Sequence, residues 1–364
     1  MQAAGPVPAA CFRRRGQPAT NRAHRGGDLA GGVAAGDLVR SPVLSSFGSA
    51  VVRSRANLDQ PQGKKPSWIR VQAPGGENYV HIKETLRERG LHTVCEEARC
   101  PNLGECWRGG TATFMLLGDT CTRACAFCAV KTGNPKGVVD AGEPEKVAAA
   151  VGALKLRYVV LTTVDRDDLA DGGAAHYAAT VRAIRTHDAN VLVEVLTGDF
   201  RGDDGALRTL LASEPDVFAH NLEVVERLSP IARDRRASYR TSLDVLAAVK
   251  RIAPQRPTKS SLMVGLGETE DELVAAMRDL RAVDVDFLTI GQYLRPSPLH
   301  LPVVEFVEPD AFARLRVIGE QMGFRYVASG PLVRSSYKAA EHFIESTLRG
   351  ERRVGGTQAE IVVR

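Results

Sequence analysis

The sequence predicts an α/β protein whose core is a parallel β-sheet, either rolled into a barrel or open. Downstream of residue 110, six short apolar runs alternate with stretches whose apolar residues recur at helical spacing. Strands that alternate with helices along the chain are typical of parallel sheets. The six predicted strands read ATFMLLG, RYVVLTTV, VLVEVLT, DVFAHNLEV, KSSLMVGLG and DFLTIGQYL.

Polar residues and glycines gather at the carboxyl ends of these apolar runs. They are Thr162, Thr163, Thr197, Asn221, Gly265, Gly267 and Gln292. In a parallel α/β barrel, the carboxyl ends of the strands form the face where ligands bind. The pattern therefore predicts a ligand site at that end of the sheet.

The composition is that of a globular protein. Of the 364 residues, 44% are hydrophobic and 25% are charged, so the chain can bury a large core. The apolar runs are broken well short of the ~18 residues that a transmembrane helix needs. Much of the net charge of +5 lies in the first 56 residues, and the remainder is close to balanced. We therefore expect neither a nucleic-acid partner nor a membrane partner.

Composition shifts divide the chain into four segments. Residues 1–60 are rich in Ala, Gly and Arg without apolar periodicity, which predicts a disordered extension. We expect a cytoplasmic location, with a mitochondrion or plastid as the alternative if this basic extension is a transit peptide. Residues 61–110 form an N-terminal segment that contains cysteines, and residues 111–322 form the barrel. Residues 323–364 form a C-terminal extension with the sequence RSSY and a disordered tail.

Within the N-terminal segment, the stretch IKETLRERG predicts one short helix that ends at Gly90. We expect the rest of the segment to form loops around its cysteines, because Pro101, Gly104, Gly109 and Gly110 punctuate it. Since it precedes the barrel, it can fold as a lid over the barrel mouth.

Six of the seven cysteines lie between Cys95 and Cys128, which indicates a local metal site in a reducing compartment. Cys121, Cys125 and Cys128 follow the first predicted strand with the spacing C-x3-C-x2-C, and no fourth cysteine follows. Three thiolates on an iron–sulfur cubane leave one iron open to another ligand. A zinc site completed by a distant histidine, or three buried thiols, would be the alternatives.

This cysteine spacing, with Phe127 before the last cysteine, resembles the signature of radical S-adenosylmethionine enzymes. The resemblance implies the fold class: a partial parallel (β/α)6 barrel of the radical S-adenosylmethionine type. It also implies a [4Fe-4S] cluster on the three cysteines and S-adenosylmethionine on the open iron. Reductive cleavage of that cofactor would release a 5′-deoxyadenosyl radical.

A second trio, Cys95, Cys100 and Cys106, has the spacing C-x4-C-x5-C. Together with GDTCTRACAFCAVKTG, VDRDDLADGG, LTIGQYLRPSPLHLPV and GFRYVASGPLVRSSY, it closely resembles the lipoyl synthase family. The resemblance implies a second, auxiliary [4Fe-4S] cluster that supplies two sulfur atoms to the sixth and eighth carbons of a protein-bound octanoyl chain. Such carbons have no acidic proton, so a radical is needed to activate them.

The same resemblance implies the fourth ligand of the auxiliary cluster and the partners. The second serine of RSSY, Ser336, would bind the auxiliary cluster, although its residues alone predict only a helix cap. The implied substrates are octanoylated lipoyl domains of 2-oxoacid dehydrogenase complexes and the glycine cleavage H protein. An electron donor such as ferredoxin or flavodoxin and an iron–sulfur carrier protein are the other implied partners.

Five further residues are candidates for contact with S-adenosylmethionine besides Phe127. We expect Glu194 and Asn221, at or near strand ends, to contact ligand, with a structural ion pair as the alternative for Glu194. Asp165, in DRDD, is expected at the methionine end of the cofactor, or in a solvated loop. Gly265 and Gly267 are expected either at the adenosine or in a simple turn. His220 and Cys11 are interpreted as structural or incidental.

Two other kinds of protein are considered. One is a different sulfur-inserting radical enzyme, such as a biotin synthase or a methylthiotransferase. The other is a zinc-binding adaptor without enzymatic activity, in which the six cysteines hold zinc. The position of the second trio before the barrel argues against the first, and the strand pattern argues against the second.

Overall fold

The computed structural model describes residues 64–71, 73–108, 111, 113–336 and 344–350. The predicted disordered extension and Cys11 lie outside these residues.

The described chain is built on one large β-sheet. In chain order, the strands are β1 (His92–Thr93), β2 (Thr113–Leu116), β3 (Thr120–Cys121), β4 (Lys131–Thr132), β5 (Tyr158–Thr163), β6 (Leu192–Leu196), β7 (Val217–Ala219), β8 (Thr258–Val264), β9 (Phe287–Gln292) and β10 (Tyr326–Gly330). Eight of them form the large sheet in the order β1-β2-β5-β6-β7-β8-β9-β10, and β3 pairs with β4 separately. All neighbours in the large sheet are parallel except β1 and β2.

Helices connect these strands. In chain order, they are α1 (Glu77–Arg89), α2 (Val94–Glu97), α3 (Leu103–Arg108), α4 (Glu143–Ala153), α5 (Ala174–His187), α6 (Asp204–Leu211), α7 (Ser229–Ala232), α8 (Tyr239–Ile252), α9 (Glu270–Ala282) and α10 (Pro309–Gln321). Residues 344–350 are also helical.

The six apolar runs of the sequence become β2 and β5–β9, so the prediction of a parallel α/β barrel with six units is confirmed. These strands are buried almost throughout, because helices cover a parallel sheet from outside and side chains fill it from inside. The helices between them bury one face, as in α9, whose inner side carries Leu273, Met277 and Leu280.

The sheet continues past residue 322, where the predicted barrel ends. Strand β10 pairs in parallel with β9 from Tyr326 opposite Phe287 to Gly330 opposite Gly291. This seventh parallel strand begins in the predicted C-terminal extension. It carries the chain back to the carboxyl ends of the other strands, where residues 331–336 follow.

The N-terminal segment is more regular than the sequence suggests. Helix α1 forms and ends at Gly90. Its φ of 62° lies in the left-handed region, which glycine adopts without strain. Strand β1 adds an antiparallel edge to the barrel sheet at β2. The expectation that loops carry the cysteines here is wrong for two of them, because α2 contains Cys95 and α3 contains Cys106.

The amino ends of the strands are closed by apolar packing. Tyr158 and Phe287, which begin β5 and β9, belong to one buried cluster with Ile344 and Leu348 of the last helical stretch. This end of the barrel is a packed core, so the opposite end is the one that can receive a ligand.

Among the described helices, none combines the length and the apolar character that a membrane crossing requires.

Candidate active site

A cavity of about 610 Å³ lies at the carboxyl ends of the strands. Six cysteines line it: Cys95, Cys100, Cys106, Cys121, Cys125 and Cys128. All six are free thiols. Residues from the carboxyl ends of β5, β6 and β9, including Thr162, Thr197 and Gln292, complete the walls. The ligand face that the strand-end residues predict is therefore a real cavity, and it brings both cysteine trios together.

The first trio lies on the barrel cysteine loop, which we define as residues 121–128. The three thiols interact electrostatically with one another, and burial is the main cause that raises the pKa of Cys121 to about 11 and that of Cys128 to about 12. Backbone N–H groups point at two of the sulfurs: that of Arg123 lies 3.4 Å from Cys121 Sγ, and that of Asp234 lies 3.3 Å from Cys125 Sγ. Hydrogen bonds of this kind tune iron–sulfur clusters.

Arg123 ties this loop to the barrel. Its guanidinium donates to both oxygens of Asp167 at 2.9 and 3.0 Å and to both oxygens of Asp199 at 2.7 and 2.6 Å. The Arg123 side chain is only 2% exposed, and two forked ion pairs satisfy its donors. The loop between the first two cysteines is thereby fixed to residues that follow β5 and β6.

The other side of the barrel cysteine loop is held by the segment after β9. His300 Nε2 lies 2.9 Å from the carbonyl oxygen of Cys128, and the backbone N–H of Leu301 donates to the carbonyl of Ala126 at 3.1 Å. Ser297 Oγ lies 2.8 Å from His300 Nδ1, so a hydroxyl that donates there leaves the proton on Nε2. The loop is therefore held at both ends.

The second trio lies on the N-terminal cysteine loop, residues 95–106. Burial is the main cause that raises the pKa of Cys95 to about 12, and Cys100 and Cys106 add electrostatic contributions. The Thr93 side chain caps α2 by accepting from the backbone N–H of Glu96. Helix α3 buries Trp107 completely, beside Cys106.

Residues 331–336, the C-terminal segment, reach this second trio from far along the chain. Asn102 Nδ2 donates to the carbonyl of Leu332 at 2.5 Å. A Cβ atom on Gly291 would lie 2.0 Å from the Val333 carbonyl oxygen, so only glycine leaves room for the segment at the end of β9. Ser335 and Ser336 consequently line the same cavity as the second trio. Most of the stretch that Ser336 would cap lies outside the described residues.

Three of the residues expected to contact S-adenosylmethionine line the cavity: Phe127, Asp165 and Asn221. Burial raises the pKa of Asp165 to about 6, while Arg123 opposes that shift. The Asp165 carboxylate lies against Gly198, where a Cβ atom would meet it at 2.2 Å. Asn221 donates from Nδ2 to Glu223 Oε1 at 3.0 Å.

Glu223 is a cavity residue that the sequence analysis missed. Burial raises the pKa of its carboxyl group, and Asn221 and Arg233 oppose that shift. Its φ of 72° is unusual for a side chain other than glycine, and an isolated bridge to Leu262 holds it. The sequence did contain a signal for this residue: an acidic residue two positions after Asn221, at the end of an apolar run, could have been predicted to lie at the ligand face.

Glu194 does not line the cavity, and the expected ligand contact is corrected to a structural ion pair. Its fully buried carboxylate accepts from Lys259 Nζ at 2.8 and 2.9 Å and from the Tyr158 hydroxyl at 2.5 Å. A buried carboxylate needs such partners, and here they lie inside the sheet.

Gly265 and Gly267 also lie away from the cavity lining. Their φ values of 98° and 97° require glycine, and a Cβ atom on Gly265 would lie 2.4 Å from the Glu305 carbonyl oxygen. The turn interpretation therefore describes their place in the structure. The nearby residues that do line the cavity are Leu262, Met263 and Gln292.

The interpretation of His220 as structural agrees with its contacts. It is buried, and its two ring nitrogens lie 2.9 Å from the Thr197 carbonyl oxygen and 2.9 Å from Ser242 Oγ. Burial lowers the pKa of His220 to about 4, so the ring is neutral near pH 7.

The donor atoms fit iron–sulfur clusters in their chemistry. Trp107 Nε1 is buried without a hydrogen-bond acceptor in the described part of the chain, yet it faces the sulfur of Cys95. Within residues 64–336, apart from the gaps given above, no three His, Cys, Asp or Glu side chains converge on a point for a single metal ion. A cubane cluster does not require the thiolates to converge on one point, because each thiolate binds a different iron.

Known proteins resemble this chain in both of its cysteine regions. A model of the radical SAM superfamily matches residues 115–280, and a model of the N-terminal domain of lipoyl synthase matches residues 24–100. Among solved structures, methylornithine synthase aligns with a TM-score of 0.46 at 13% identity, over 79% of this chain and 91% of that one.

Curated relatives are much more similar. Lipoyl synthase of Thermus thermophilus is 59% identical over 296 residues, which cover 81% of this chain and 92% of the relative. Lipoyl synthase of Anaeromyxobacter dehalogenans is 60% identical, with 79% and 96% covered, and the chloroplastic lipoyl synthase of Arabidopsis thaliana is 54% identical, with 79% and 75% covered. Identity at this level over most of both chains shows that the protein belongs to the lipoyl synthase family of the radical SAM superfamily.

Proposed function

We propose that the cavity carries out the radical insertion of two sulfur atoms at the sixth and eighth carbons of an octanoyl chain on a carrier-protein lysine. Membership of the family makes the protein a sulfur-inserting enzyme of lipoate biosynthesis that uses a [4Fe-4S] cluster and S-adenosylmethionine. The observation that carries the assignment of residues is the presence of two cysteine trios in the walls of one cavity.

Cys121, Cys125 and Cys128 would hold the radical-generating cluster, with one iron open to S-adenosylmethionine. When bound, cluster and cofactor supply a radical strong enough to remove hydrogen from a saturated carbon. The residues of the chain have three other tasks: to fix the loop through Arg123, to donate backbone N–H groups to the sulfurs, and to exclude water. Radicals and activated carbon centres survive only where side reactions with solvent are suppressed.

Cys95, Cys100 and Cys106, with Ser336 as the fourth ligand, would hold the auxiliary cluster that donates sulfur. An oxygen ligand binds iron less tightly than a thiolate does, so it can leave when the cluster must give up sulfide. Asn102 and Gly291 support this role because they allow the C-terminal segment to lie beside the trio.

Polar residues on the barrel side would bind S-adenosylmethionine. Asp165 offers a carboxylate oxygen that Arg123 does not bind closely, because the nearest guanidinium nitrogen is 3.7 Å away. A cationic group of the cofactor is a suitable partner for it. Asn221 and Glu223 offer an amide and a carboxylate for hydroxyl groups, and Phe127 offers an apolar surface.

The two alternative functions, a different sulfur-inserting radical enzyme and a zinc-binding adaptor, have less support. The curated relatives are named lipoyl synthases, and none of those described above is a biotin synthase or a methylthiotransferase. A zinc-binding adaptor does not explain why six thiols share one cavity with a ligand-sized space at the mouth of a barrel.

Lipoyl synthases act on lipoyl carrier proteins, and we propose two carriers: the lipoyl domains of 2-oxoacid dehydrogenase complexes and the glycine cleavage H protein. Ferredoxin or flavodoxin would deliver electrons, and an iron–sulfur carrier protein would rebuild the auxiliary cluster. A cytoplasmic location is proposed. The alternative is an organelle, and the name of the Arabidopsis relative shows that this family also occurs in chloroplasts.

An assay with an octanoylated lipoyl-domain peptide tests the proposal. Anaerobically prepared protein with about eight irons per chain should convert the peptide to its lipoyl form when S-adenosylmethionine and a strong reductant are added. A Cys125→Ala variant should lose 5′-deoxyadenosine production. A variant with Ala at residues 95, 100 and 106 should still cleave the cofactor but form no lipoyl product. Lipoyl product from the latter variant would refute the assignment of the second trio.

A further inference from the structure

Arg334 is the arginine of the sequence RSSY, and it lies in the wall of the cavity at the second trio. It follows the short loop that leaves β10, two residues before Ser336. The proposed function gives roles to the cysteines and to Ser336 but none to this cation.

Within the described part of the chain, the hydrogen bonds of Arg334 bring no opposite charge to its guanidinium. Its Nη1 donates to the carbonyl oxygens of Val333 at 2.6 Å and of Pro331 at 3.4 Å, which are both in its own loop. Among the residues that the structure describes, the charged group that acts on it is Cys100, and no carboxylate does. A positive charge removed from water without an anionic partner is costly, so the arrangement calls for a negative group at this place.

The contrast with Arg123 makes the point sharper. Arg123 is buried, whereas Arg334 is partly buried, and two aspartates neutralise Arg123 through four hydrogen bonds. Arg334 has backbone carbonyls in their place. Among the described residues, carboxylates therefore neutralise Arg123 beside the first trio, but none is bound to Arg334 beside the second trio.

The neighbouring group that can carry negative charge is the second cysteine trio. Cys100 and Arg334 line the same cavity, and the Arg334 guanidinium and the Cys100 sulfur interact electrostatically. Gly291 fixes the arginine in place, since a Cβ atom there would lie 3.2 Å from Arg334 Nη1 and collide with the carbonyl that this nitrogen binds. Asn102 holds the two segments together.

We propose that Arg334 is the built-in counter-charge of the auxiliary site, where its guanidinium offsets the negative charge of Cys100 and of the cluster that the trio would hold. This inference rests on the proposed function. Three thiolates and an oxygen ligand give a cubane a net negative charge, and a fixed cation beside it stabilises the reduced form more than the oxidised form. Arg334 should therefore raise the reduction potential of the auxiliary cluster, and it is a positioning residue with no contact to the substrate.

The test isolates the auxiliary cluster. In a variant with Ala at residues 121, 125 and 128, only the second trio can hold a cluster, and its reduction potential is measured by a redox titration followed by electron paramagnetic resonance. Arg334→Gln in this background should shift the potential to a more negative value, because the cation is gone. Arg334→Lys keeps the charge and should remain closer to the parent. Arg295→Gln is the matched control, since Arg295 lines the same cavity but hydrogen-bonds the His300 carbonyl on the side of the first trio.

The outcomes separate the two proposals. An Arg334→Gln cluster at the parent potential would overturn the counter-charge role and leave the proposed function intact. A parent variant without any cluster would overturn the proposed function itself. If Arg334→Gln assembles no cluster, cluster in Arg334→Lys supports the charge role. Loss of cluster in both variants, with circular dichroism unchanged, would instead assign Arg334 to the support of the Pro331 and Val333 carbonyls.

Discussion

The two cysteine loops face one cavity but are held in different ways. The barrel cysteine loop is bound to the ends of neighbouring strands through forked ion pairs of Arg123 and through the backbone of the segment near His300. The N-terminal cysteine loop is built from its own short helices, with Trp107 buried beneath it. The barrel therefore holds the first site by ion pairs and hydrogen bonds, whereas the second packs against β2 through the apolar cluster that contains Cys95, Cys106 and Trp107.

The second site is also divided along the chain. Its cysteines come before the barrel, and Ser336, which we propose as its fourth ligand, comes after the seventh parallel strand. The hydrogen bond between Asn102 and Leu332 joins these two parts across 230 residues of sequence. A site that must be reused unchanged gains from anchoring to strands. A site that is opened and rebuilt, as we propose for the second one, gains from ligands on separable segments, and this proposal would account for the different construction of two similar cysteine sets.

The largest effect is expected where the barrel cysteine loop loses its anchor. Arg123→Met would leave the buried carboxylate of Asp199 without its cation, whereas Asp167 would keep Arg236 at 3.1 Å. Removal of one partner of a buried pair costs about 3–5 kcal/mol. We expect the free energy of unfolding in a urea titration to fall by this amount and cofactor cleavage to be lost.

Arg201→Met serves as the control for Arg123→Met. Arg201 binds carbonyls in the same region, including that of Ala170, but its side chain is exposed. Its loss should cost less than about 1 kcal/mol. Equal losses of stability in the two variants would show that the barrel cysteine loop has no special anchor.

The next effect concerns the ligand supplied by the C-terminal segment. Ser336→Ala should reduce lipoyl product by roughly a hundredfold, as losses at metal sites can do, while 5′-deoxyadenosine is still formed. Ser336→Cys should assemble a cluster that resists loss of sulfide, because a thiolate holds iron more tightly. Both products are measured by mass spectrometry in one reaction.

Ser335→Ala is the matched control, because Ser335 lines the same cavity one residue earlier. It should form lipoyl product within about threefold of the wild type. Full activity in Ser336→Ala would leave helix capping as the only role of this serine, and the second site would then not be divided along the chain.

A smaller effect is expected from Gly291→Ala, which changes the distance between the two parts of the second site. The added methyl group would meet the Val333 carbonyl oxygen, so the C-terminal segment must shift, at a cost of about 1–3 kcal/mol. Sulfur insertion should fall more than cofactor cleavage does. The measured ratio of lipoyl product to 5′-deoxyadenosine should therefore decrease.

Gly330→Ala provides the comparison for Gly291→Ala. A Cβ atom there would lie 3.3 Å from a methyl group of Val333, which can move aside. If this variant changed the product ratio as strongly as Gly291→Ala, the shift of the C-terminal segment would not be the cause.

The sequence predicted the parts of the structure that depend on local pattern. Apolar runs and helical spacing identified six strands, β2 and β5–β9, and the face on which the cysteines lie. The spacing of the two trios, with the resemblance, led to the family. These features follow from neighbouring residues, so they can be predicted without the fold.

The errors come from contacts between distant residues. We expected Glu194 to contact a ligand, but it pairs with Lys259. The sequence does not reveal this pair, because Lys259 lies 65 residues away on a strand that is not adjacent in the sheet. The pairing of Arg123 with Asp199 spans 76 residues, and Glu223 lines the cavity with a φ of 72° that the sequence pattern does not predict. Periodicity carries no information on which side chains meet inside a barrel.

The smallest effect is expected at the second anchor of the barrel cysteine loop. His300→Phe removes the N–H that lies 2.9 Å from the Cys128 carbonyl oxygen, and one such hydrogen bond contributes about 1 kcal/mol. That amount corresponds to a decrease of about fivefold in the rate of cofactor cleavage if the bond acts on the reacting geometry. His300→Gln can still donate a hydrogen bond and should restore part of the rate, which is followed as 5′-deoxyadenosine formed per minute. His300→Phe should lower the free energy of unfolding in urea by no more than about 1 kcal/mol, which is less than the loss expected for Arg123→Met. A His300→Phe enzyme as fast as the wild type, or a Gln variant as slow as the Phe variant, would show that the barrel cysteine loop is fixed from the Arg123 side alone.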